Sequence, residues 1–178
     1  MKIKKYLEFI NEDNSHSFGC VMLELDIDNW KEITSFIKKE DVYDVEGFGI
    51  EDEPHVTLLY GLEKSVTTDD VKEKLKDFKD IDVKIESIDI FENEYFDVVK
   101  FNVKKTKQLQ SIFDTLSKLP NQNKYKDYIP HITIAYVKKG KGKKYVYKDY
   151  KHEIGKLNDV IYSKASDDNT DKIILNEK

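Results

Sequence analysis

Apolar residues along this chain fall into short runs of two kinds. Some recur every third or fourth position, as on one face of a helix, and others are continuous or alternate with polar residues, as in strands. Phe18 to Asp26 is nearly all apolar and predicts a strand buried on both faces. Trp30, Ile33 and Ile37 keep helical spacing behind Asp28, a plausible N-cap, and predict a helix up to Lys39. Residues 40–53, broken by Gly47 and Gly49, read as a loop, and His55 to Tyr60 as a strand ended by Gly61. Thr67-Thr68-Asp69-Asp70 opens a helix whose buried face is Val71, Leu75 and Phe78. Val83 to Ile90 and Tyr95 to Val103 read as a hairpin around a turn at Phe91-Glu92-Asn93-Glu94.

Thr106 caps a third helix with Leu109, Ile112, Phe113, Leu116 and Leu119 on one face, and Pro120 stops it. A loop from Asn121 to Asp127 leads to a strand from His131 to Val137. A Gly/Lys-rich turn follows at Lys138 to Lys144, and Tyr145 to Tyr150 is expected to pair back as a strand. Asp159 to Ser163 and Lys172 to Leu175 read as late strands, and residues 1–16 as a polar arm.

Two modules share the order strand, helix, strand, and each closes on the same phrase. Pro54-His55-Val56-Thr57-Leu58 is echoed by Pro130-His131-Ile132-Thr133-Ile134. A repeated half-domain governs how the rest of a chain is read. The expectation is one domain over 1–178 made of two half-repeats, about 17–80 and 81–178, behind the arm at 1–16.

Alternate residues of a strand share a face, so His55 goes with Thr57 and His131 with Thr133. Val56 and Ile132 point the other way, into a core. If a pseudo-two-fold axis relates the modules, both His-Thr pairs meet across one cleft. One imidazole would then take a proton and the other give one across a phosphodiester. The Thr hydroxyls would donate to non-bridging oxygens, where charge develops. Zinc binding by His55 and His131 finds no third ligand by spacing. Phe18 and Tyr128 are candidate plates for a nucleobase, with packing as the plainer role; Tyr60 and Tyr136 read as structural. Lys138, heading the Lys138–Lys144 cluster, is a candidate for attracting a polyanion, and Lys164 a weaker one. His16 and His152 read as surface residues.

Composition narrows the choice. With 39% apolar and 12% aromatic residues, 178 residues can bury a core. A net charge of −5 disfavours long nucleic acid, whose affinity rests on neutralised phosphates, but allows a small anionic ligand in a locally basic cleft. Cys20, the single cysteine, excludes an intrachain disulfide and reads as a buried, inert thiol. No apolar run is long enough for a membrane span, and the first residues do not make a secretory signal. The expectation is a soluble, cytoplasmic monomer that makes no membrane contact.

Paired His-x-Thr motifs on repeated strands resemble the two-histidine phosphoesterase superfamily, over roughly Phe18 to Val137. The resemblance implies an α+β, bilobal fold: two pseudo-symmetric antiparallel sheets facing a central cleft, with helices outside. It implies a hydrolase that cleaves phosphodiesters with no metal or other cofactor. It makes His55 and His131 the catalytic pair and Thr57 and Thr133 their phosphate-binding partners, leaving open which His is the acid. Within the superfamily the chain looks most like the phage-encoded anti-CBASS phosphodiesterases. That implies a cyclic di- or trinucleotide immune signal as substrate, cut at 3′–5′ linkages in a bacterial host's cytoplasm. The alternatives are an RNA-end enzyme (2′,3′-cyclic phosphodiesterase or 2′,5′-RNA ligase-like) and a protein that sequesters a nucleotide without turnover.

Overall fold

The computed structural model describes residues 18–27, 29–45, 47–125, 127–165 and 170–175. The polar arm at 1–16, His16 and the Asp28 cap lie outside the described residues. Among the described residues eight strands form: β1 (Gly19–Glu24), β2 (His55–Leu62), β3 (Ile81–Glu92), β4 (Phe96–Val103), β5 (His131–Lys138), β6 (His152–Leu157), β7 (Asp159–Ser163) and β8 (Thr170–Ile174). Helices α1 (Trp30–Ile33), α2 (Thr68–Leu75) and α3 (Lys107–Leu116) connect them. The α+β class and the antiparallel pairing agree with expectation.

The strands line up as β6-β3-β4-β5-β2-β1-β7-β8, every neighbour antiparallel. Two four-stranded halves meet between β5 and β2, and one register pair joins them, Val56 opposite Ile132. The expected pair of sheets is thus continuous through a single contact. The repeat itself is β1-α1-β2 against β4-α3-β5. The halves of the sheet do not follow the stretches 17–80 and 81–178, because β7 and β8 return to pair beside β1.

Residues of the repeat correspond closely. His55 lies opposite Glu24 and Thr57 opposite Met22; His131 lies opposite Asn102 and Thr133 opposite Lys100. Both Pro carbonyls accept from the residue that follows the match: Pro54 from Leu25 N at 3.1 Å and Pro130 from Val103 N at 3.1 Å. One face of the sheet carries Val21, Leu23, Val56, Leu58, Phe101, Ile132 and Ile134, buried under α2 and α3. Burying such side chains contributes about 1.5–3 kcal/mol each. The opposite face carries the His-Thr pairs.

The helices behave as their sequences dictate, with one exception. Thr67 and Asp70 close a capping box on α2, and the Thr106 hydroxyl accepts from Leu109 N on α3 at 3.1 Å. The helix expected through Lys39 stops at Ile33. Thr34 bonds its hydroxyl back to the Trp30 carbonyl at 2.9 Å, and Lys38 N donates to the Tyr145 hydroxyl at 3.0 Å rather than into a helix. Residues 145–150 do not form the expected strand. Gly142–Tyr145 is a 3-10 turn because the Tyr145 ring is buried against Phe36 and its hydroxyl bonds Asp41. The strand comes later, as β6, whose weak apolar alternation hides it. Phe91 and Glu92, expected in a turn, extend β3; the turn follows, with Asn93 Oδ1 accepting from Tyr95 N and Phe96 N.

Each long loop leading into a Pro-His phrase is held by the other half. Loop 42–51 runs along β5, with Tyr43 N to Tyr136 O at 2.9 Å, Tyr136 N to Gly49 O at 2.8 Å and Glu51 N to Ile134 O at 2.8 Å. The Trp30 indole donates to Glu51 O at 2.6 Å and pins the same loop. Loop 120–128 runs along β2, with Glu63 N to Pro120 O at 3.0 Å and Gln122 N to Gly61 O at 2.8 Å. Gly61 adopts φ +101°, and a Cβ there would stand 3.0 Å from Asn123 N. Gly61→Ala is therefore expected to cost at least about 1–2 kcal/mol from left-handed strain alone. Chemical denaturation should show a lower midpoint, because loop 120–128 packs against β2 at this residue; unchanged stability would contradict this reading of the loop.

Candidate active site

His55 and His131 are the first residues of β2 and β5, and both are half-buried. Antiparallel pairing about Val56–Ile132, carried one residue either way, sets His55 beside Thr133 and Thr57 beside His131. Directly opposed residues have Cβ atoms about 4.5–5.5 Å apart. Four side chains expected from sequence to cooperate are thereby brought to one patch of one face.

Both imidazoles are anchored alike. His55 Nδ1 donates to Glu53 O at 3.0 Å and His131 Nδ1 to Ile129 O at 2.8 Å. A carbonyl can only accept, so the proton of each neutral ring sits on Nδ1 and Nε2 is the nitrogen that exchanges protons. The electrostatics differ between halves. Packing around His131 strips its ring of water and pushes its pKa down to about 4; the Ile129 carbonyl opposes this, while the charges of Lys100 and His55 reinforce it. His131 is therefore neutral at pH 7, ready to accept a proton.

Thr57, His131 and Thr133 line a cavity of about 350 Å³ together with Tyr60, Phe91, Val98, Phe113, Asn123, Tyr125, Tyr128 and Tyr136. That is the lower end of the range for small-molecule sites. His55 opens instead onto a more polar hollow of about 630 Å³ beside Glu24, Asp52, Glu53, Asp159 and Lys172. The cluster thus borders both hollows, His55 on one and Thr57, His131 and Thr133 on the other.

The accessory residues expected from sequence fare unevenly. Tyr128 is buried, stacks on Phe113 at 4.8 Å and donates its hydroxyl to Thr57 O at 3.1 Å. It forms cavity wall and ties loop 120–128 to β2. Phe18 packs edge-on at 6.3 Å against Tyr60, which lines the cavity, and is not itself part of that lining. Lys138 ends β5, about 23 Å along the strand from His131, and its ammonium donates to Glu40 O at 2.8 Å. Its neighbours are ion-paired: Lys139 with Asp97 at 3.2 Å, Lys143 with Glu92 at 3.2 Å and Lys144 with Asp41. Lys164 pairs with Asp171 at 2.8 Å.

Cys20 is buried, and desolvation pushes its thiol up to about 12 against a hydrogen bond from Thr57. It is a neutral neighbour of that hydroxyl, not a nucleophile.

Tyr60 and Tyr136, whose sequence context predicts a structural role, both line the cavity. Phe91 meets the His131 ring edge-on at 4.9 Å, and exposed Tyr125 stands at the rim. Lys100 and Asn102 share the face of the His-Thr pairs on β4. Strand alternation was the available signal: Lys100 and Asn102 alternate with the core residues Val99, Phe101 and Val103.

Among the described residues no helix is long and apolar enough to cross a membrane. No curated protein matches the chain in sequence. The fold is similar to that of Kluyveromyces marxianus Usb1, with a TM-score of 0.59 and 10% identity over 90% of this chain and 99% of that one. A structure of the same Usb1 with uridine monophosphate gives 0.61 and 10% over the same shares. A crystal structure described as a phosphoesterase gives 0.52 and 13% over 89% and 95%. A family model, that of the 2′-5′ RNA ligase superfamily, matches residues 29–157, well over half of the chain. Both His-x-Thr phrases fall inside that match, and the chain belongs to the 2′-5′ RNA ligase superfamily.

Proposed function

We propose that the protein is a metal-independent phosphodiesterase that opens 3′–5′ linkages of short nucleotides, with cyclic di- and trinucleotide signals as its substrates. One observation carries the reaction: the register pair Val56–Ile132 sets both Nδ1-anchored imidazoles and both Thr hydroxyls beside one another. His131, neutral at pH 7, takes the proton of the attacking oxygen, either water or the adjacent ribose 2′-hydroxyl. His55 gives a proton to the departing 5′-oxygen. Thr57 and Thr133 donate to the non-bridging oxygens as charge builds on them. With a 2′-hydroxyl as nucleophile, the P–O5′ bond breaks as the P–O2′ bond forms, and a 2′,3′-cyclic phosphate results. Water then opens that ring with the two imidazoles in exchanged roles.

A small, aromatic-walled cavity beside the cluster suits one nucleobase and ribose, and the net charge of −5 disfavours long RNA. The choice of cyclic signals, and with it a role in countering phage-directed CBASS immunity, rests on the sequence resemblance. A second reading, an RNA-end enzyme, is favoured by the full-length likeness to Usb1, one structure of which holds uridine monophosphate. Incubating the protein with cyclic di- and trinucleotides and with a short RNA, with and without chelator, separates the two when products are weighed by mass spectrometry. Ring-opened products, undiminished by EDTA, are expected. Trimming of the RNA alone would assign the second reading, and loss of all cleavage in EDTA would defeat the metal-independent mechanism.

His55→Ala and His131→Ala should each lower kcat by about 10²–10⁴-fold with the fold intact. A His131→Ala protein of ordinary activity would remove the proposal. The pH profile should be lopsided. The base must be unprotonated in the free enzyme, and its pKa is depressed to about 4, so the acid limb of kcat/KM should lie well below the ordinary histidine range near 6.5. An acid limb at or above 6.5 would contradict His131 as base.

A further inference from the structure

The two halves of the site match in backbone but not in charge. Met22 stands opposite Thr57; at the corresponding place in the other half, Lys100 stands opposite Thr133. Lys100 is 3% exposed and makes no salt bridge among the described residues. Its ammonium donates to Asn102 Oδ1, a neutral amide, and lies 4.3 Å from the centre of the Phe91 ring. Phe91 also carries the edge-on contact with His131, so the cation and the imidazole flank one ring.

The nearest carboxylate is already engaged. Asp89 holds Lys148 at 2.5 Å and Ile90 N at 2.9 Å, and takes a longer bond from Asn102 Nδ2 at 3.4 Å. Lys100, Lys148 and Asp89 together therefore retain one net positive charge. A buried ammonium without its own counter-ion is costly to the fold. Little screening separates it from the cluster, so its field there is strong.

We infer that Lys100 is a positioning charge for the proposed reaction: from behind Phe91 it draws the phosphate to the His-Thr cluster and stabilises the negative charge gained as phosphorus becomes five-coordinate. The inference rests on the proposed reaction for its catalytic part alone; anion attraction stands apart from it. Besides Lys100, His55 on β2 is the charge that bears on His131 directly; Asp89 on β3 and Lys148 after the 3-10 turn act on Lys100, and Glu92 on β3 and Asp127 in loop 120–128 line the same cavity.

Lys100→Met installs the side chain that the matching position already carries. Inorganic phosphate is titrated into wild type and variant, followed on the His55 and His131 imidazole resonances by NMR. The His131 titration is recorded in the absence of phosphate, and melting temperatures are compared. Phosphate affinity should fall at least ten-fold, the His131 midpoint should move to higher pH as a facing positive charge is lost, and the melting temperature should hold or rise. Unchanged phosphate affinity, an unmoved His131 midpoint, or a wild type that binds no phosphate at the cluster would each overturn the inference. A lower melting temperature would overturn it too, since it would make Lys100 a structural prop. If all three expected changes appear while wild-type protein cleaves no phosphodiester, the reaction proposed above fails and the anion-steering charge stands.

Discussion

One cross-strand contact organises this molecule. Val56 and Ile132 are fully buried, and among the described residues theirs is the one register pair between the two four-stranded halves of the sheet. Because strand side chains alternate, burying these two in the core obliges their neighbours to emerge on the opposite face. A slip of one residue in either strand would send that strand's His and Thr into the core. The hydrophobic effect acting on two aliphatic side chains thus sets the register on which the polar site depends.

A joint of one residue pair needs bracing, and the loops supply it. Segment 42–51 takes up the free edge of β5 and segment 120–128 that of β2, so each half closes the open flank of the other. An aromatic with a polar head ties down each loop, Trp30 at Glu51 and Tyr128 at Thr57. The polar heads find carbonyl partners, as buried indole and phenol groups require. The prolines at 54 and 130 end these loops and offer their carbonyls to the neighbouring strand, so each His starts its strand at the same relative height.

Much of this was legible in the sequence. The duplicated Pro-His-x-Thr phrase marked both strands and the faces of their residues, because period-two alternation is a local property. Caps at Thr67 and Thr106 were legible for the same reason. What failed was non-local. The helix after Trp30 ends early because Lys38 is claimed by Tyr145, more than a hundred residues away. Lys138 looked available because its partner, the Glu40 carbonyl, is distant in sequence. The return of β7 and β8 beside β1 could not be read from composition. Lys100 was overlooked because a lysine in a strand usually faces solvent; only the pairing of β4 with β3 and β5 encloses it.

In the proposed reaction, two near-identical histidines take different parts. Their anchoring carbonyls are equivalent, but the surroundings are not: His131 sits against Phe91 with Lys100 behind, and His55 opens onto a polar hollow. Unequal environments around equal groups are a general route to separate acid and base roles. The most direct measurement of the central claim is a crystal structure with a nucleoside vanadate bound. One vanadium centre is expected, with Nε2 of both His55 and His131 at about 3 Å from its apical oxygens and both Thr hydroxyls on equatorial ones. A vanadate held by one half alone, or bound away from the Val56–Ile132 joint, would contradict it.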